Sequence, residues 1–203
     1  MLATVNMLNW SNEIPDINSK HLFKNILELF RRCPNPKILE IGSYVGTSLI
    51  AMLQYLPKAS GYAIDNWSIN NKECDHSKVD LKETFINNVN KSKTSDRIKL
   101  LEGDSVTILT TLLRNGSKFD FIYVDGSHKI LDVHFDLILS WELLDKGGVL
   151  GIDDYLWLSE NGCQKIKEAV DHFMVKRKDE CIVLHTGYRI FIQKSTNIDS
   201  NEP

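Results

Sequence analysis

The sequence lacks several features that would each have fixed a function class. No apolar run approaches the ~20 residues a membrane span needs. There is no surplus of positive charge: 24 Lys and Arg stand against 27 Asp and Glu, a formal net charge of −3. That balance argues against a phosphate-backbone partner such as nucleic acid. No C-x-x-C pair is present, and the spacing of Cys33, Cys74, Cys163 and Cys181 matches no zinc motif. A chain of 203 residues buries enough apolar surface to fold without disulfides or metal staples. The thiols are therefore expected to be reduced, and the protein cytoplasmic. The first ten residues carry no Lys or Arg and do not read as a signal peptide. Linkers rich in Gly, Ser or Pro are absent, as are internal repeats.

What is present is a rhythm of short apolar runs alternating with helical patterns. Strands are expected at 37–42 (KILEIG), 61–65 (GYAID), 97–101 (RIKLL), 119–125 (FDFIYVD) and 148–153 (GVLGID). Helices are expected at 47–56, 79–90 and 105–113, and where Ile130, Val133, Leu137, Trp141 and Leu144 recur on one face. Ile166, Ala169, Val170 and Phe173 mark another helix. The runs 181–185 and 188–193, joined by Thr186-Gly187, read as a closing hairpin. Ahead of the first strand, Leu22, Phe23, Ile26, Leu27 and Phe30 form an amphipathic helix that covers the sheet or makes a dimer contact.

Alternation of this kind predicts an α/β, Rossmann-like, doubly wound sheet with helices on both faces. It would have seven strands, mostly parallel, with an antiparallel strand from the C-terminal hairpin. The expected organisation is a helical extension over 1–35, the main domain over 36–194 and a polar tail over 195–203.

Ligands of such sheets bind at the carboxyl ends of the strands. After the first strand come Gly42 and Gly46, which allow a tight turn into a helix whose free N–H groups favour negative charge. Their G-x-x-x-G spacing is not the dinucleotide fingerprint G-x-G-x-x-G, and no phosphate-loop lysine follows. A plain strand-to-helix turn is the other reading of this segment. Asp65, about 20 residues on, suits ribose hydroxyls or a helix cap. Asp104 either caps the next helix or meets an adenine amino group.

Asp125-Gly126-Ser127-His128 follows the fourth strand, and Asp153-Asp154-Tyr155 the fifth. If those strands are parallel neighbours, their tips lie about 5 Å apart. Three carboxylates then converge, and such a cluster calls for a compensating cation. All-oxygen ligation favours Mg²⁺, with Mn²⁺ or Ca²⁺ as variants. The plain alternative is that these acids cap loops and helices in water. The polar stretch 67–80 could form a lid bearing Trp67, Cys74 and His76, and Tyr155 and Trp157 either flank an acceptor or belong to the core.

Together these residues resemble the class I S-adenosylmethionine-dependent methyltransferases. More narrowly, they resemble the metal-dependent macrocin/mycinamicin sugar O-methyltransferases and, at greater distance, catechol O-methyltransferase. The resemblance spans about residues 36–194 and is carried by ILEIGSYVGTSL, AIDNW, EGDS, FDFIYVDGSHKI and GGVLGIDDY. It implies that Glu40, Gly42, Ser43, Tyr44, Gly46, Thr47 and Ser48 surround the methionine part of S-adenosylmethionine. Asp65, Asn66 and Trp67 would then meet the ribose, Asp104 and Ser105 the adenine, and Asp125 would border both cofactor and metal. It implies Mg²⁺ on Asp125, Asp153 and Asp154, with His128 as general base. A histidine base leans the acceptor toward a sugar hydroxyl, with a catechol or other phenol as the alternative. An NAD-type oxidoreductase and a non-catalytic relative of the fold are the competing readings. The expected partner is a small molecule, with neither nucleic acid nor membrane, and a homo-oligomer is compatible with the chain.

Overall fold

The computed structural model describes residues 17–68, 80–159, 162 and 165–196. Six helices and seven strands alternate through them: α1 (Ile17–Glu28), β1 (Lys37–Ile41), α2 (Thr47–Tyr55), β2 (Ser60–Asp65), α3 (Leu81–Lys91), β3 (Ile98–Glu102), α4 (Ser105–Arg114), β4 (Phe119–Val124), α5 (Ile130–Leu143), β5 (Leu144–Ile152), α6 (Lys165–Lys176), β6 (Cys181–Thr186) and β7 (Ile190–Lys194). They build one seven-stranded sheet in the order β3-β2-β1-β4-β5-β7-β6. Strands β1 to β5 are mutually parallel, and β7 inserts antiparallel between β5 and β6. The Rossmann-like expectation holds, including the closing antiparallel hairpin.

Both faces of the sheet are covered, which is why its central strands read as continuous apolar runs. Side chains alternate across the pleat. Leu39, Ile41, Ile122, Val124, Leu150 and Ile152 face a core shared with α4, α5 and α6. Ile38, Ala63, Phe121, Tyr123 and Val149 face the core under α1, α2 and α3. Helix α1 covers the sheet: Phe23, Ile26 and Leu27 are buried, and Phe23 meets the rings of Tyr123 and Phe191 edge-on at 5.0 and 5.5 Å. Asp80 caps α3 by accepting the Glu83 N–H at 2.9 Å. No helix among the described residues is long and apolar enough to cross a membrane.

The hairpin departs from expectation in register. Strand β7 begins at Ile190, so Tyr188 and Arg189 fall in the turn that returns the chain beside the tip of β5. Strand β5 starts at Leu144, directly after α5, whereas the sequence pattern begins it at Gly148 and gives Leu144 to the preceding helix face. Of the suggested 67–80 lid, residues 69–79 with Cys74 and His76 lie outside the described residues, as do Met1 to Asp16 and 197–203.

Candidate active site

The carboxyl ends of β2, β1, β4 and β5 sit side by side, and the turns leaving them make one cleft. Backbone bonds lock the tips together: Gly42 N–H to Ile64 O at 2.9 Å, Asp125 N–H to Ile41 O at 2.9 Å and Asp153 N–H to Val124 O at 3.0 Å. Among the described residues, the non-glycine residues with left-handed φ are Tyr44 (47°), Trp67 (46°) and Asp154 (54°). Each lies just past a strand tip of this cleft. Backbone held in such sparsely populated conformations collects where a site needs it.

The glycine turn fits hard against the next tip. A Cβ on Gly42 would lie 2.1 Å from the Asp125 carbonyl oxygen, and its φ is +85°. Gly46, also at φ +85°, opens α2, whose first-turn N–H groups receive no side-chain cap. That leaves the helix end available to an anionic group, as its dipole favours. Asp65 joins this turn to β2: Oδ2 accepts the Tyr44 N–H and Oδ1 the Trp67 N–H, both at 2.7 Å. The Trp67 indole N–H donates in turn to the Tyr44 carbonyl at 2.8 Å. Asp104 takes the capping role, accepting the Thr107 N–H at 3.0 Å at the start of α4 beside Ser105. Asn66 accepts from the Ser68 N–H at 2.9 Å.

Beneath the turn lies a concentration of acid. Glu40 is fully buried, and its Oε1 accepts from Ser48 Oγ. Burial pushes its carboxyl up to about 7, and the Ser48 and Ser43 hydroxyls offset only part of this. Asp125 is raised well above the carboxylate range, first by burial and then by the charges of Asp153, Glu40 and Asp154.

Asp153 is held from three sides. Its Oδ2 accepts the Tyr123 hydroxyl at 2.6 Å and the Arg189 Nε–H at 3.0 Å, and its Oδ1 accepts the Asp154 N–H at 2.8 Å. Asp154 pairs with His128, Oδ2 to Nε2 at 3.0 Å. Burial raises Asp154, but hydrogen bonds from His128 and Tyr188 outweigh it and leave its carboxyl lowered. The His128 ring stacks on Trp157 at 4.6 Å with 17° between the planes.

The cleft thus gathers Asp125, His128, Asp153 and Asp154, as the sequence suggested. Among the described residues, however, no three His, Cys, Asp or Glu side chains stand ready as a metal cage. Tyr155 belongs to the core, 5% exposed with its hydroxyl on Asp171, while Trp157 is at the site. Spacing gave no hint of Tyr123, Tyr188 or Arg189. Arg189 is 36 residues from Asp153 in the chain, and only the insertion of β7 beside β5 brings them together.

Comparison with known proteins identifies the family and the fold. The chain is 30% identical over 158 residues to caffeoyl-CoA O-methyltransferase 1 of Eucalyptus globulus, covering 71% of this chain and 59% of that protein. It spans between 43% and 59% of the length of the curated relatives it matches. The O-methyltransferase TomG of Streptomyces achromogenes, solved in complex with SAM, superposes with a TM-score of 0.64 at 20% identity, over 86% of this chain and 80% of that one. MycE methyltransferase of mycinamycin biosynthesis, solved with Mg, SAH and mycinamycin VI, gives a TM-score of 0.62 at 18% identity, over 91% of this chain and 51% of that one. At those identities the two structures establish a common fold. A family profile described as a methyltransferase domain matches residues 39–155, from the middle of β1 past the acidic pair. With more than half its length inside that match, the chain belongs to the methyltransferase-domain family.

Proposed function

We propose that the protein transfers the methyl group of S-adenosylmethionine to a hydroxyl of a small molecule, with Mg²⁺ assisting. The observation that carries this reading is the contact between the Gly42–Gly46 turn and Asp125, which sets a cofactor cradle against the cleft holding His128. Gly42, Ser43, Tyr44, Gly46, Thr47 and Ser48 would hold the methionine part, with its carboxylate at the uncapped start of α2. Asp65 would meet ribose through the lone pairs its two backbone donors leave. Asn66, Trp67 and Ser105 would contact the same ligand, and Asp104 would reach it only beyond its capping bond.

The residues fit a divalent cation in charge and donor type. Glu40, Asp125, Asp153 and Asp154 are four acids balanced by one guanidinium, and hard oxygen donors suit Mg²⁺. Asp125, Asp153 and Asp154 would hold it. When bound, Mg²⁺ supplies Lewis acidity to a coordinated hydroxyl.

The chain itself supplies position and a proton acceptor. Holding acceptor and donor in line makes the encounter effectively unimolecular, which contributes several kcal/mol. His128, braced by Trp157 and beside Asp154, takes the acceptor's proton. In the tautomer that donates Nε2–H to Asp154, Nδ1 is the basic nitrogen. A sugar hydroxyl is the acceptor we favour, because His128 stands where catechol enzymes of the resembling group use lysine. A phenolic acceptor is the second reading, and the caffeoyl-CoA relatives favour it.

The test is incubation with labelled S-adenosylmethionine, Mg²⁺ and a panel of nucleotide-linked deoxysugars, simple glycosides, catechols and caffeoyl esters. Label should move to one class of acceptor and stop with EDTA or His128→Ala. Transfer indifferent to both would overturn the mechanism, and no transfer to any of the panel would overturn the acceptor class.

A further inference from the structure

We infer that Arg189 is the resident cation of the acidic cluster and competes with a divalent metal ion for Asp153. The inference rests on the metal-assisted reading above and goes beyond it by naming what sets the metal affinity. Pairing of Ile190 with Ile152 fixes Arg189 next to Asp153, so the guanidinium belongs to the site by strand register. Its Nε lies 3.0 Å from Asp153 Oδ2 and 2.9 Å from the Tyr123 hydroxyl, which itself donates to the same carboxylate oxygen. Both side chains are largely withdrawn from water, at 17% and 10% exposure. In that setting a charge pair is only weakly screened.

A metal ion reaching Asp153 meets two obstacles. The Oδ2 oxygen already serves two donors and Oδ1 a third, so a coordination bond must displace a hydrogen bond. A dication within a few ångströms of a guanidinium is also repelled by it. In return, Arg189 and Tyr123 hold the Asp153 carboxylate in one orientation when no metal is there. His128 holds Asp154 by a hydrogen bond at 3.0 Å. Of the three acids expected to be ligands, Asp153 is thus held by the guanidinium and Asp154 by the His128 ring.

The experiment is titration of the ligand-free full-length protein with Mn²⁺, reading free Mn²⁺ by electron paramagnetic resonance. Arg189→Gln, which keeps a hydrogen-bond donor and removes the charge, should bind Mn²⁺ about tenfold tighter or more. Arg189→Lys should stay within about threefold of wild type, because the charge remains. The wild-type protein gives an independent readout if Arg189→Gln does not fold: its Arg189 Nε–H resonance, hydrogen-bonded to Asp153, should shift and exchange faster with water as Mg²⁺ is added. Equal or weaker Mn²⁺ affinity in folded Arg189→Gln overturns the inference, as does a resonance unmoved at saturating Mg²⁺. Absence of Mn²⁺ binding in every variant overturns it together with the metal-assisted reading. EDTA-insensitive methyl transfer would identify that second failure separately.

Discussion

Replacing Gly42 by alanine tests the contact on which the cofactor cradle depends, and Gly116 provides its control. Both residues have left-handed φ, +85° and +66°. At Gly116 a Cβ would meet nothing within 4 Å, so Gly116→Ala isolates the backbone penalty. That penalty is about 1–2 kcal/mol. At Gly42 the same methyl would stand 2.1 Å from the Asp125 carbonyl oxygen and 2.6 Å from Gly126 Cα, all backbone atoms with no side chain to swing aside. Relief requires the tips of β1 and β4 to part by about 1 Å, since ordinary carbon–oxygen contacts are ~3.3 Å or longer. Parting them strains the Gly42–Ile64 and Asp125–Ile41 hydrogen bonds, both 2.9 Å. Such bonds contribute roughly 1 kcal/mol each, and more when a buried group is left unpaired. The expected total for Gly42→Ala is about 3–5 kcal/mol in urea unfolding followed by tryptophan fluorescence. Calorimetric titration with S-adenosylhomocysteine should show a loss of affinity of about a hundredfold or more, while Gly116→Ala binds like wild type. The reasoning is refuted if the two variants lose the same stability, or if Gly42→Ala retains the ligand.

Three further outcomes are expected. Burial raises Asp136 from 3.8 to about 6, so folded protein loses stability as pH rises from about 4 to 6 and stays penalised above that. Asp136→Asn should therefore be more stable than wild type at pH 8 by up to about 3 kcal/mol in urea unfolding, a gain that vanishes below pH ~4. Asp104→Ala should lose about 1 kcal/mol through the lost α4 cap. Asp104→Asn keeps the cap, so a fall in S-adenosylhomocysteine affinity in that variant reports an adenine contact. Trp157→Ala should lower kcat about tenfold through a loosened His128 ring, with a urea midpoint close to wild type because Trp157 is only half-buried.

The sheet was legible in the sequence because its strands are buried on both faces. Four of the five residues of KILEI are buried, and a strand covered by helices on each side needs that density of apolar side chains between its turn signals. Gly42 and Gly46 were legible as a turn because both require φ values other residues avoid. Less could be read where one residue serves two partners. Asp65 and Asp104 were each assigned a ligand or a cap; Asp104 is a cap, and Asp65 spends a lone pair of each oxygen on backbone N–H groups before any ribose arrives. Nothing in the spacing of acids revealed how their charge is balanced. A cluster read from motifs alone requires a cation from outside, which is how Asp125, Asp153 and Asp154 first suggested a metal. The sheet order changes that requirement: by inserting β7 beside β5 it delivers a guanidinium from 36 residues downstream to Asp153 at 3.0 Å. One of the acids is therefore already compensated from within the chain, before any metal ion arrives. On the metal-assisted reading, metal affinity at this site would be a property of the hairpin register as much as of the acidic motifs.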